Sequence, residues 1–401
     1  MARVLLIGGW EENYRGALDL GCDVIGFVPT ANRRLLTPET QSRCNLHDYD
    51  ITDIARCLYE ASRLACIAPL DGVFSFTELG LETAGVIAAG LGINGTELGP
   101  NVKTRNKDIT RELIVGTALG NVRFALCRSH EDLLLAAKRL GLPAIKKPLN
   151  GKGSEGIQKI GSLADLPHID LGTSGALVEQ LITGPEYSVE TISHRGEHTA
   201  IAVTQKSINR DFIETQHLLP APIPANQTAL LIERTKLLLD RIQLSTGLSH
   251  TEFILSREED GSLDAHLIET QLRPGGDRIW KLVELCFGMK LDKTNIAQSL
   301  GLPAPINSKP NRFALSCFPE FEPGRIVRIE GIDDVRKSPG VFSFECDYKI
   351  GDIVDRWKSS ADRKCCLVAF GDTAEELESR KRIALSKFVL ETMVDIAGGH
   401  D

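Results

Sequence analysis

The 401-residue chain has no apolar run approaching the roughly 18 residues that a membrane-spanning helix needs. Its opening Met1-Ala-Arg-Val-Leu-Leu-Ile-Gly-Gly is too short an apolar stretch to read as a secretory signal. No cluster of Lys and Arg offsets the net charge of −8, so nucleic acid is not an expected partner, and neither is a membrane. The ten cysteines lack the paired spacing of metal ligands, and the adjacent Cys365 and Cys366 are poorly placed to bridge each other. Reduced thiols in a cytoplasmic protein are the expectation. There is no internal repeat, no low-complexity tract and no Gly-x-x-x-x-Gly-Lys-Ser/Thr. Gly8-Gly9-Trp10 lacks the third glycine of a dinucleotide fingerprint, and no later acidic residue stands out for a ribose. What remains is an ordinary globular composition, 42% apolar and 25% charged, long enough for two or three domains.

The most informative segment is Ala144-Ile-Lys-Lys-Pro-Leu-Asn-Gly-Lys-Gly-Ser-Glu-Gly-Ile157. A short apolar strand runs into two lysines and a proline, then into a loop with Gly151, Gly153, Ser154 and Gly156. Glycine has no Cβ and tolerates positive φ, so backbone N–H groups of such a loop can approach an anion closely. With lysine at its edge the loop reads as a phosphate cradle. Strand alternation makes Lys147 the inward residue and Lys146 its outward neighbour.

The surroundings add specificity. Upstream lies the charged helix start Arg105-Asn-Lys-Asp-Ile-Thr-Arg-Glu112. Downstream, Glu179 and Glu186 flank a Gly184-Pro185 turn, and Glu252 and Glu269 sit on two strands around Asp260-Gly261, followed by Arg273. This order resembles the ATP-grasp superfamily over about residues 1–300, and the last hundred residues resemble the C-terminal domain of the L-amino acid ligase branch. The resemblance implies a mixed α/β and α+β ATP-grasp fold. Residues 1–100 would form a doubly wound N-terminal α/β domain, consistent with the β-Gly-α-β pattern of Val4–Val28. Residues 101–305 would form the ATP-grasp domain, with a mobile lid at about 120–190, and 306–401 a small α+β domain ending in a helix over 373–392.

On that resemblance, Lys107 and Lys147 reach the nucleotide phosphates. Glu179 accepts from the adenine amine, while the backbone of Gln180 and Ile182 reads the ring edge. Glu186 takes the ribose hydroxyls through its two carboxylate oxygens.

The metal site follows from geometry. A hairpin centred between Asp260 and Gly261 places Glu252 opposite Glu269, their Cβ atoms about 5 Å apart, where like charges repel. A divalent cation turns that repulsion into attraction, and Mg²⁺ commonly uses one or two carboxylates plus nucleotide phosphates. Alternation puts Gln271 and Arg273 on the face of Glu269. Gln271 stands where most of the superfamily carries Asn, which leaves open whether its amide reaches the ion directly. Arg273 resembles the arginine that stabilises the transferring phosphoryl group. Gly275 and Gly276 would let substrate approach the backbone, with Asp277 or Arg278 helping to select it. Glu78, at a strand end, is a candidate to touch substrate, the alternative being a solvated turn carboxylate. Ile208–Pro220 resembles a loop near the acyl group, where His217 would stabilise an oxyanion or bind the acceptor, unless it is structural.

The activity implied is an ATP- and Mg²⁺-dependent carboxylate–amine ligase, with Mn²⁺ as a substitute ion. It would form an amide or peptide bond through an acyl phosphate, with an amino acid as one substrate. Such chemistry needs positioning and charge neutralisation rather than a Ser/His/Asp set. The alternatives are an ATP-grasp carboxylase of the biotin-carboxylase or purine-biosynthesis type, or a non-catalytic nucleotide-binding regulatory protein. The expected partners are a small-molecule carboxylate and amine, with a carrier protein as an alternative acceptor. Homodimerisation is common in the family.

Overall fold

The computed structural model describes residues 1–150, 153–257 and 261–393. The N-terminal third is a five-stranded parallel sheet in the order Asn45–His47, Asp23–Phe27, Arg3–Ile7, Gly72–Phe74, Asn94–Gly95. The helices Glu11–Asp19, Ile54–Ile67 and Leu81–Leu91 accompany it. The last of these ends on Gly92, whose φ of 66° is the left-handed cap that glycine supplies. The strand order reverses between Arg3–Ile7 and Gly72–Phe74, and the crevice outside such a switch point is where doubly wound sheets bind ligands. Gly8, Gly9, Thr77 and Glu78 follow those two strands.

Two antiparallel sheets follow. The smaller has the order Phe124–Cys127, Ala176–Gln180, Ala144–Pro148, Gln158–Ile160, and packs on the helix His130–Leu140. That helix opens with a capping box between Ser129 and Asp132. The larger has eight strands in the order Leu263–Gln271, Gly247–Arg257, Glu186–His194, Glu197–Ile208, Glu214–Leu219, Phe313–Cys317, Cys365–Gly371, Val341–Cys346. It crosses position 306 without interruption, because Glu214–Leu219 pairs directly with Phe313–Cys317. Its core joins the helix Ala225–Ile242 to Phe253, Leu255 and Leu267. A second core joins the first sheet to Ile192, Leu248 and the helices Ile279–Phe287 and Leu291–Ser299.

Three expectations need correction. The last helix spans only Ala374–Leu385, and Val389–Met393 is a strand paired with Gly324–Glu330. Phe388 packs its ring on Phe321 and Phe344, which carries the chain into that β pairing. Residues 208–220 form a tight hairpin rather than an open loop, because the Asn209 side chain accepts from the N–H groups of Asp211 and Ile213. Lys146 does point away from Lys147, yet it is buried, its Nζ donating to the Gly156 carbonyl at 3.1 Å.

The hairpin of Gly247–Arg257 and Leu263–Gln271 does place Glu252 opposite Glu269, through an irregularity the sequence does not announce. Near the tip Arg257 faces Leu263 and Phe253 faces Leu267, a register one residue out of step with the expected one. Ile268 is then the extra residue of a β-bulge, and beyond it Glu252 faces Glu269. A regular ladder would have put Ile268 there. Residues 258–260, with the expected turn residue Asp260, and Gly151 of the glycine loop lie outside the described residues.

Among the described residues no helix is long and apolar enough to cross a membrane. Phe253 is fully buried beside the bulge. Phe253→Ala should therefore cost about 3–5 kcal/mol, read as a lower urea midpoint, and Phe253→Leu should cost much less.

Candidate active site

A cavity of about 440 Å³ lies between the four-stranded sheet and the hairpin strands of the large sheet. Its apolar lining includes Val122, Ile145, Ile182, Ile254 and Leu267, and its polar lining includes Lys107, Arg111, Lys147, Glu179, Glu186, Glu252 and Glu269. Gly153, Ser154, Gln180 and Thr183 also line it, but Gly156 is not among the lining residues. Gly184 makes the turn from Gln180 to Glu186 possible. A Cβ there would stand 2.1 Å from the Leu255 carbonyl. The Gln180 N–H donates to Arg123 O at 3.0 Å, so it is not free for a ring edge.

Glu179 is the electrostatic centre of one wall. Lys147 lies diagonally across the ladder from it, and Lys147 Nζ is 2.8 Å from Glu179 Oε2. Arg111 grips the same carboxylate through Nε and through Nη2, the latter at 3.1 Å. Burial alone would raise this carboxyl, but Arg111 and Lys147 override it and hold it at about 2. The carboxylate expected to meet an adenine amine is thus committed to two buried cations. Arg111 escaped the sequence analysis, although its place one turn after Lys107 puts both on one helix face.

The opposite wall carries a second network. The buried Lys206 Nζ stands 2.5 Å from Glu252 and 3.3 Å from Glu214. His250 bridges Glu190 at 2.7 Å and Glu252 at 2.8 Å. Burial pushes the imidazole down, but the two carboxylates outweigh it and raise it to about 9. Burial likewise pushes Glu186 up to about 7, helped by Glu252 and Glu214 and resisted by Lys206 and Lys147. Lys206 faces Glu186 across the ladder, a pairing visible only once register is known.

Glu269 has its own cation, Lys107, at 3.0 Å. Gln271 Nε2 donates to Glu269 Oε1 at 3.0 Å, and Gln271 Oε1 is buried without a hydrogen-bond partner. Among the described residues no group of three or more His, Cys, Asp or Glu side chains is placed to hold a metal. Two facing carboxylates and one orphaned amide oxygen instead fit an ion that draws its remaining ligands from phosphate and water.

A second cavity of about 760 Å³ opens at the switch point of the parallel sheet. Trp10, Glu78, Arg273, Gly275, Gly276, Asp277, Arg278 and Arg363 line it. Arg273 Nε donates to Glu78 Oε2 at 2.9 Å, which joins the N-terminal sheet to the end of the hairpin. Gly276 is open to the cavity, whereas a Cβ on Gly275 would meet His250 Nδ1 at 2.9 Å and Glu190 at 3.0 Å. The freedom at Gly275 therefore serves packing against that pair. Asp277 and Arg278 both adopt positive φ, and Arg278 Nη2 reaches Glu345 at 2.5 Å. Burial would raise the Asp277 carboxyl, but His217 and the two-pronged Arg363 hold it far below the ordinary range. His217 itself is buried, with Nε2 3.1 Å from Asp277 and its ring edge-on to Phe318, and it lines neither cavity. The expectation that it touches an acyl group or acceptor is corrected: it positions Asp277. Arg363, which lies beyond the stretch of strongest resemblance, was missed.

Replacing Glu179 with Gln leaves Arg111 and Lys147 facing a neutral amide in a buried site, at an expected cost of about 3–5 kcal/mol at neutral pH. The folded carboxyl at about 2 lies below its ordinary 4.5, so its stabilisation is complete above pH 4.5 and is lost as pH falls through 2. Urea unfolding at stepped pH should show a constant gap between wild type and Glu179→Gln above pH 4.5 that narrows below it. A gap independent of pH would remove the charge-based account.

The model of the ATP-grasp domain matches residues 167–279, and that of the L-amino acid ligase C-terminal domain 2 matches residues 318–393. The chain is 24% identical over 332 residues to an L-arginine-specific L-amino acid ligase of Bacillus subtilis, covering 78% of each chain. It is 31% identical over 169 residues to a D-alanine–D-alanine ligase of Pseudomonas fluorescens, covering 39% of this chain and 49% of the relative. The crystal structure of an L-amino acid ligase from Bacillus licheniformis superposes with a TM-score of 0.82 at 19% identity, covering 98% of this chain and 99% of that one. The chain thus has the ATP-grasp fold, with an ATP-grasp domain over residues 167–279 and an L-amino acid ligase C-terminal domain over residues 318–393.

Proposed function

We propose that the protein is an ATP- and Mg²⁺-dependent carboxylate–amine ligase that forms an amide or peptide bond, with an amino acid as one substrate and ADP and phosphate as products. The observation that carries this reading is the junction of the two cavities. Lys107 and Glu269 line the nucleotide-sized cavity and also a small space of about 160 Å³ that opens on Glu78. Glu78 in turn holds Arg273 at the end of the larger cavity. Cations therefore run continuously from where phosphates would lie to where a second substrate would lie.

In this reading adenine occupies the apolar part of the first cavity, beside Ile182, and Glu186 takes the ribose hydroxyls. Lys107 and Lys147 receive the phosphates, their positions fixed by Glu269 and Glu179. Glu252, Glu269 and the amide oxygen of Gln271 would hold Mg²⁺, or Mn²⁺ in its place, which supplies charge withdrawal from the phosphates when bound. A carboxylate oxygen of the acid attacks the γ-phosphorus, the β–γ bridging oxygen leaves with ADP, and Arg273 neutralises the phosphoryl group in transit. The amine then attacks the acyl carbon, phosphate leaves, and the nitrogen gives up its proton. Gly276, Asp277 and Arg278 shape the wall against which the acid or amine lies. We place the enzyme in the cytoplasm, acting on a small-molecule carboxylate and an amine, with a group on a carrier protein as the alternative acceptor. The division at about residues 100 and 305 remains part of the proposal.

Two measurements check the reading. With the acid, ATP, Mg²⁺ and hydroxylamine, the activated acid should appear as a hydroxamate with stoichiometric ADP, and AMP as the product would overturn the mechanism. Glu269→Gln keeps the side chain's shape but removes its charge, so turnover should fall about 10²–10³-fold or more, while the unfolding midpoint falls less than in Glu179→Gln because the Lys107–Glu269 pair is more exposed to solvent. Near-normal activity in the folded variant would remove the metal assignment.

A further inference from the structure

The strands Val341–Cys346 and Cys365–Gly371 are joined by an excursion over residues 347–364 that reaches into the site. Ser360 donates its N–H to the Gly153 carbonyl of the glycine loop at 3.0 Å and its hydroxyl to Glu214 at 2.9 Å. Arg363 grips Asp277, and Trp357 packs on Ile213 and Phe318. The base of the excursion is a pair of cysteines. Cys346 and Cys365 are cross-strand partners, with Sγ atoms 2.9 Å apart. Asp347 and Lys364, the next pair along, are joined by a backbone hydrogen bond from Asp347 N to Lys364 O at 2.9 Å. Ladder alternation then makes Cys346 and Cys365 a non-hydrogen-bonded pair, whose Cα atoms lie about 4.5 Å apart. That separation falls within the range a disulfide spans without backbone movement.

We propose that Cys346 and Cys365 form a reversible disulfide that clasps the base of the 347–364 excursion and fixes Ser360 and Arg363 against the two cavities. Cys346 is the partly exposed member and Cys365 the buried one. With a small-molecule disulfide as oxidant, the Cys346 thiolate attacks one sulfur and releases one thiol, leaving a mixed disulfide. The Cys365 thiolate then displaces the second thiol, so two protein thiols are oxidised and one small disulfide is reduced to two thiols, which take up the two protons. The neighbouring pair Glu345 and Cys366 flanks Arg278 in the larger cavity, so the clasp also borders that wall.

The test uses the whole protein treated with oxidised glutathione and then with dithiothreitol. Lys349, Arg356, Lys358, Arg363 and Lys364 allow trypsin to cut within the excursion. Non-reducing peptide mapping should recover the peptides of Cys346 and Cys365 joined and released by dithiothreitol, with fragmentation between Cys365 and Cys366 placing the bridge on Cys365. No bridge, or a bridge to any other cysteine, overturns the proposal. ATP binding, followed by calorimetry, should tighten or weaken at least twofold on oxidation of wild type and stay unchanged in Cys346→Ser. An unchanged affinity in a protein mapped as bridged overturns the coupling to the site. The mapping does not depend on the ligase reading, so failure of one is distinguishable from failure of the other.

Discussion

The site rests on buried and half-buried cations that are compensated one by one. Glu179 lies between Arg111 and Lys147, Glu252 between Lys206 and His250, and Glu269 beside Lys107. A lone ammonium at such depth would carry a desolvation penalty of several kcal/mol, and would shed its proton or unfold the wall around it. Pairing offsets that penalty and aims each lysine. The low dielectric that makes an unpaired charge costly also makes a correctly placed one effective toward phosphate.

The same compensation ties the sheets together. Arg111 leaves its helix to reach Glu179 on the small sheet and the Leu267 carbonyl on the large one. Arg273 links the hairpin end to Glu78 of the parallel sheet. Arg363 and Ser360 bring the C-terminal strands onto Asp277 and Glu214. Each of these residues is at once a structural tie and a wall of a cavity, so the assembly of the sheets and the geometry of the site are one problem.

The β-bulge at Ile268 shows how finely that geometry is set. Register decides which face every later residue occupies, and a slip of one would have moved Glu269 and Gln271 to the far side of the sheet. A hairpin centred on Asp260-Gly261 leads to the correct pairing of Glu252 with Glu269, but the strand register from Arg257 to Phe253 is one residue out of step with it and the bulge at Ile268 restores it.

By itself the sequence determined the elements whose signals are local. The period of the parallel strands, the Gly92 cap, the glycine loop after Lys147 and the Gly184-Pro185 turn before Glu186 can all be read from neighbouring residues. It also singled out Lys107 and Lys147 by their order around the glycine loop, and Glu252 and Glu269 by a hairpin count that sets them opposite each other. The tertiary structure alone decided what those charges touch. Lys206 meets Glu252, Arg363 meets Asp277, and His217 turns away from both cavities, because such contacts depend on register and on strands far apart in the chain. Burial, too, is a property of the packed sheets: Lys146 faces away from Lys147 as alternation requires, but only the assembled layers determine that this other face is interior rather than solvent.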